Sequence, residues 1–164
     1  MKYKLFFSLA MVLFFSSSAM AVKFRLPLQA DDTQNNGFYV GAYYNHHWQG
    51  VRDFSCKTRT YSTKTYAHAG VDYVLQALPG STSWKDFLKG RDIIAAADGV
   101  VVSTADGYFD QCGGGFCDGA TAFGNYVRIL HNDGNYTYYA HMKKGSVAVS
   151  VGDNVTCGQV IGKI

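Results

Sequence analysis

Apolar and polar positions alternate with a period of two in the first segments of the chain after its N-terminus, the spacing of strands with one face buried. Phe24, Leu26 and Leu28 alternate with polar or basic neighbours, and Phe38, Val40, Ala42 and Tyr44 repeat the pattern. Ile93 to Ala97 and Val100 to Val102 flank Asp98-Gly99, a strong two-residue hairpin signal. A second hairpin is expected where Tyr126 to His131 and Tyr136 to Met142 are joined by Asn132-Asp133-Gly134-Asn135. A last pair of short strands, Ser146 to Val151 and Val155 to Ile161, surrounds Gly152-Asp153-Asn154. No helix of any length is visible, although Trp84, Phe87 and Leu88 suit a short helix or a wall over a groove. Strands this dense, with turns every 8 to 12 residues or so, predict an all-β, antiparallel domain.

The second hairpin also yields a register. If His131 pairs with Tyr136, cross-strand partners share a face, and Tyr126, Arg128, Tyr139 and His141 lie together. Val127, Ile129, Tyr138 and Ala140 take the other face and make the better core. This turns His141 toward a groove and His131 toward the packed side near the turn. A slip of one residue reverses the assignment.

The N-terminus departs from this pattern. Lys2 and Lys4 precede an apolar run from Leu5 to Phe15, then three serines and Ala19-Met20-Ala21. A basic end, a short apolar core and a small-x-small site are the parts of a cleavable export signal, here residues 1–21. The core is shorter than the about 20 residues that span a bilayer. Residues 22–164 then form a single domain, with no membrane insertion expected once the signal is removed. A periplasmic or extracellular location follows.

Composition narrows the chemistry. The formal charge is +3, two of the basic residues fall in the leader, and no Lys/Arg block stands out, which argues against a nucleic-acid partner. All 12 acidic residues are Asp. That excludes the H-E-x-x-H protease motif and any mechanism with a glutamate base. Cys56, Cys112, Cys117 and Cys157 form an even set in an exported chain, which favours disulfides. Three pairings are open; one closes Cys112 on Cys117 around Gly113 to Phe116 and leaves Cys56 to join Cys157. A cysteine-based zinc site fits the spacings poorly.

Candidate metal chemistry centres on His68-Ala69-Gly70-Val71-Asp72. In an extended strand His68 and Asp72 share a face but lie roughly 13 Å apart, whereas zinc bonds to His or Asp are about 2 Å long. The chain must bend between them, and Gly70, lacking a Cβ, is the expected hinge. The competing reading is a half-buried strand with Val71 and Val74. His46 and His47, beside Trp48, are adjacent residues that face opposite ways on a strand, and read as loop or surface positions.

Four segments in order carry a resemblance: the H-x-G-x-D of residues 68–72, "G..I.AA.DG.V" from Gly90 to Val102, "GN.V.I.H.DG..T.YAH" ending at His141, and "G..V..GQVIG" from Gly152 to Gly162. Together they resemble LytM/lysostaphin-type zinc metallopeptidases, which cut peptide bonds in bacterial peptidoglycan. The resemblance implies a two-layer antiparallel β fold with a groove over zinc. It implies that His68 and Asp72 are zinc ligands, that His141 is the catalytic histidine, and that Tyr126, Tyr139 and Trp84 line a groove for a short Gly- or Ala-rich peptide. In that family a third ligand and a second histidine come from an H-x-H motif after "GQVIG", so residues 22–164 read as a peptidase-like domain that stops short of it, leaving a zinc site with two of its ligands. A non-catalytic relative that binds peptidoglycan or regulates a hydrolase is the alternative. A biotinyl- or lipoyl-type carrier, suggested by "GQVIGKI", is opposed by the export signal and by H-x-G-x-D.

Overall fold

Local alternation and long-range pairing together build eight strands in a computed structural model that describes residues 21–28, 38–44, 55–57, 68–75, 88–111 and 123–164. They are β1 Phe38–Ala42, β2 Asp72–Leu75, β3 Asp92–Ile94, β4 Gly99–Ala105, β5 Asn125–Leu130, β6 Tyr136–Met142, β7 Asn154–Val155 and β8 Val160–Lys163. All pairings are antiparallel: β1 with β2, β3 with β8, and a four-stranded sheet in the order β6-β5-β4-β7. Leu88 and Lys89 alone among the described residues are helical. The all-β antiparallel expectation therefore holds.

The core lies on one face of the four-stranded sheet. Val101, Val127 and Ile129 project into it beside Met142, Val155 and Ile161, all of them fully buried or nearly so. Ile93, Ala95 and Ala96 close it from the β3–β8 side, and Phe38 and Tyr73 of the β1–β2 ribbon pack on its edge.

Three local expectations are corrected. The Asp98-Gly99 step is not a hairpin: β3 pairs with β8, and β4 with β5 and β7. Asp98 turns its carboxylate to the Cys157 amide at 2.6 Å. Gly99 serves close approach, since a Cβ there would lie 2.5 Å from the Leu130 carbonyl oxygen. Ser146 to Val151 is not a strand, and β7 and β8 do not pair with each other but with β4 and β3. Phe24 to Leu28 makes only a single bridge, from Leu28 to Ile93, with Phe24 and Leu26 exposed.

The 125–142 hairpin forms as expected, but its register is one residue off. The loop closes between the His131 amide and the Asn135 carbonyl at 2.9 Å, with Gly134 at φ 82°. Leu130 therefore faces Tyr136, Arg128 faces Tyr138, and Val127 faces Tyr139. On β5 the inward face is the expected one. On β6 it is inverted, so Tyr139 is buried and Tyr138 exposed. His131 is buried as anticipated, with Nδ1 2.7 Å from the Asp98 carbonyl and Nε2 2.8 Å from Thr137 Oγ1.

Cys56 and Cys157 are exposed free thiols, so the link between them that one of the three open pairings would make is not formed. Cys157 Sγ instead donates to the Ala96 carbonyl at 3.4 Å. Cys112 and Cys117 lie outside the described residues, as do His46, His47, Trp48, Trp84, Phe87 and residues 1–20 of the leader. No helix of the described residues is long and apolar enough to cross a membrane.

Candidate active site

The chain does bend between His68 and Asp72. Residues 68–71 leave the strand conformation, β2 begins only at Asp72, and His68 Nε2 comes 3.1 Å from Asp72 Oδ1. The hinge is not the special one expected of Gly70. Its φ is not among the positive values, and a Cβ added to it would meet open space. The bend is held from outside, because β1 pairs Ala42 with Asp72 and so carries the next residue, Tyr43, past His68. The Tyr43 carbonyl sits 3.1 Å from His68 Nδ1.

That contact fixes the imidazole. A carbonyl only accepts, so Nδ1 carries the proton and Nε2 turns its lone pair toward the Asp72 carboxylate. Nε2 and Oδ1 stand 3.1 Å apart, close enough to share one cation. Zinc bonds near 2.0–2.1 Å at a tetrahedral angle put two ligand atoms roughly 3.3 Å apart. A ligating histidine usually donates its other N–H to a carbonyl or carboxylate. The pair therefore fits a metal in spacing, tautomer and donor type. Among the described residues no third His, Cys, Asp or Glu joins it to make a metal-binding group.

His141 reaches the same cleft from the opposite sheet. Strict alternation after buried Tyr139 would turn His141 into the core, but β5 and β6 shift register between Val127 and Asn125, leaving an extra residue opposite Tyr126. Met142 takes the inward position, fully buried, and His141 adopts φ 56° and stands exposed. Bulges of this kind re-aim side chains. The cleft, about 490 Å³, is lined by His68, Asp72, His141, Tyr73, Phe123 and Tyr138 among others. All three sequence-predicted site residues thus share one cavity.

The aromatic lining differs from expectation. Tyr126 sits on the outer face, its hydroxyl 2.9 Å from Ser103 Oγ. Tyr139 borders the cleft floor but is largely buried, its hydroxyl accepting the Ala96 amide at 2.8 Å. Phe123 and Tyr138 form the exposed wall, their rings 4.6 Å apart. Burial raises the phenol pKa of Tyr73, and of Tyr139 despite hydrogen bonds from Thr137 and Ala96. Tyr138 is raised by burial and by its neighbour Tyr126, with Arg128 opposing.

The sequence model of peptidase family M23 matches residues 85–164. Over these residues the chain is similar to that family. The comparison with curated proteins returned no match. The matched M23 region includes β3 to β8 and His141; His68 and Asp72 precede it.

Besides Phe123, Tyr138 and the Tyr43 carbonyl, sequence reasoning missed Asn125. A polar residue at the inward position of the Val127/Ile129 alternation was the available signal. Its side chain is 1% exposed and bonded on every side: Oδ1 accepts the Tyr108 amide at 2.9 Å, and Nδ2 donates to the Tyr108 and Met142 carbonyls, each at 3.0 Å.

Proposed function

We propose that this chain is an exported zinc metalloendopeptidase that hydrolyses peptide bonds of bacterial peptidoglycan. The observation that carries the reading is the convergence of the His68–Asp72 pair and His141 on one cleft, in a chain whose residues 85–164 match the model of a peptidase family. His68 Nε2 and Asp72 Oδ1 would hold the metal. Bound zinc supplies a Lewis acid that polarises the scissile carbonyl and lowers the pKa of water toward 7.

The chain's own residues divide the remaining work. Tyr43 holds the His68 tautomer through its carbonyl. His141, exposed and aimed into the cleft, transfers a proton between the attacking water and the leaving amine, the role a glutamate takes in other metallopeptidases and one that a Glu-free sequence must give to another base. Phe123 and Tyr138 offer flat apolar surface against which an extended peptide lies. The basic leader with its short apolar core supports export to the compartment that holds peptidoglycan.

Metal content and peptide release from purified peptidoglycan test the proposal together. One equivalent of zinc, lost in His68→Ala and Asp72→Ala, with release cut about a hundredfold or more to a measurable residual rate in His141→Ala, is the expected result. Peptidoglycan binding without zinc and without release would replace this reading with that of a non-catalytic binding domain. Zinc binding with no effect of His141→Ala on release would remove His141 from the chemistry.

A further inference from the structure

The backbone that presents His141 is held in an unusual state by a buried clamp. A positive φ is uncommon for a residue other than glycine, and such residues persist only where their surroundings over-determine them. At His141 the surroundings are specific. Its amide donates to the Phe123 carbonyl at 2.9 Å, and the next residue, Met142, is paired with Asn125, whose Nδ2 donates to the Met142 carbonyl at 3.0 Å. The same Asn125 amide takes both the N–H and the C=O of Tyr108, so the loop after β4 and the end of β6 are tied through one side chain. Gly124, next to Asn125, takes φ 57°, a conformation open to glycine at little cost.

The geometry points to Asn125 as the residue that positions His141, acting through the bulge and never touching substrate; this rests on the peptidase reading above. Its chemistry is narrow. The position needs one acceptor facing Tyr108 N–H and two donors facing carbonyls, with no exposure to water to replace either. An amide satisfies all three at once. A carboxylate keeps the acceptor and loses the donors, and a shorter hydroxyl reaches fewer partners. Releasing the Met142 carbonyl frees the bulge to relax, and His141 swings away from the cleft while His68 and Asp72, on a different sheet, stay where they are.

Asn125→Asp and Asn125→Ser in the full chain test this, the Asp variant preserving side-chain volume should Ser fail to fold. Turnover is expected to fall about tenfold to a hundredfold, the range reached when a catalytic group is misplaced by an ångström, with KM and zinc content unchanged. In a His141→Ala background the same substitutions should cause no further loss. An equal loss in both backgrounds, or loss of zinc, would make Asn125 merely structural and overturn the assignment. A second readout needs no activity. In zinc-free protein the intraresidue amide-to-Hα contact of His141, close only at positive φ, should be strong in the parent and weak in both variants. Its persistence in the variants would overturn the assignment even if peptide hydrolysis itself were never observed, whereas failure of the peptidase reading alone would leave this contact responsive to Asn125.

Discussion

The two arms of the candidate site are built to different standards. His141 comes from the β4–β5–β6 sheet, where alternate residues of β5 are buried and Val127 and Ile129 have no exposure at all. His68 and Asp72 come from the β1–β2 ribbon, in which no residue is buried and side-chain exposures reach 34% for His68 and 59% for Asp72. An exposed His–Asp pair contributes little by itself, and a two-stranded ribbon is marginal without packing or a ligand. The His141 arm is therefore ordered by the core, whereas the His68–Asp72 arm depends on Phe38 and Tyr73 at the core's edge and, under the proposed function, on the ion it would bind.

The largest contrast is expected when a β-branched side chain is truncated to alanine in each arm. Ile129→Ala, at a fully buried position, should cost about 2–5 kcal/mol. Val74→Ala, 38% exposed on the ribbon, should stay within about 0.5 kcal/mol. Denaturant midpoints of the two variants check this, and similar losses would mean that the ribbon is as integral to the fold as the sheet.

Metal should act in the opposite sense, on the ribbon. If zinc binds the folded chain only, it stabilises by mass action, about 2.7 kcal/mol at a hundredfold excess over Kd. Thermal melts with and without zinc should show that shift in the parent and lose it in His68→Ala, while the zinc-free melts of the two proteins coincide. A large zinc-free loss in His68→Ala would show that the imidazole is already structural.

The same contrast explains what the sequence disclosed. Period-2 alternation on β1 and β5 is local, so the all-β class and the 125–142 hairpin could be read directly. The pairing of β3 with β8 spans nearly the whole matched region, and no local signal at Asp98-Gly99 distinguishes a hairpin from a crossing held by the Cys157 amide. The faces of β6 depended on whether the turn closed at Asn135 or Tyr136, a difference of one residue that inverts every side chain. His141 was assigned to the cleft on a register that does not occur. It reaches the cleft because the bulge opposite Tyr126 restores by distortion what the true register took away. Residue types in H-x-G-x-D gave the pair; the carbonyl that orients it, from Tyr43, is a backbone atom and leaves no trace in the sequence.

A smaller effect is expected at the floor of the cleft, on the sheet side. Tyr139→Phe removes a hydroxyl that accepts the buried Ala96 amide and contacts Thr137, which should cost about 1–3 kcal/mol for the orphaned donor. Burial raises the folded pKa of Tyr139 above its ordinary 10.0. The unfolded chain therefore loses this proton first as pH rises, and the hydroxyl's contribution is complete below about pH 10 and declines as the pH climbs through the folded value. The alkaline limb of a stability–pH curve should be shallower in Tyr139→Phe. It will not vanish, because Tyr73 and Tyr138 are raised as well.

The smallest effect tests whether the ribbon's bend is imposed by its own residues or by its neighbours. Gly70 lies between the two candidate ligands, where chain flexibility would appear essential, yet its φ is ordinary and a methyl group would project into open space. If the Tyr43 carbonyl and the Ala42–Asp72 pairing hold the bend, then Gly70→Ala should leave stability unchanged or raise it by about 0.4–1 kcal/mol through the unfolded chain. Zinc affinity should likewise be unaltered. Because the glycine borders the cleft, the added methyl should appear instead as a modest rise in KM with kcat preserved. A destabilised Gly70→Ala, or one that loses zinc with its fold intact, would return the bend to the glycine, and the ribbon would then shape its own ligand pair without help from β1.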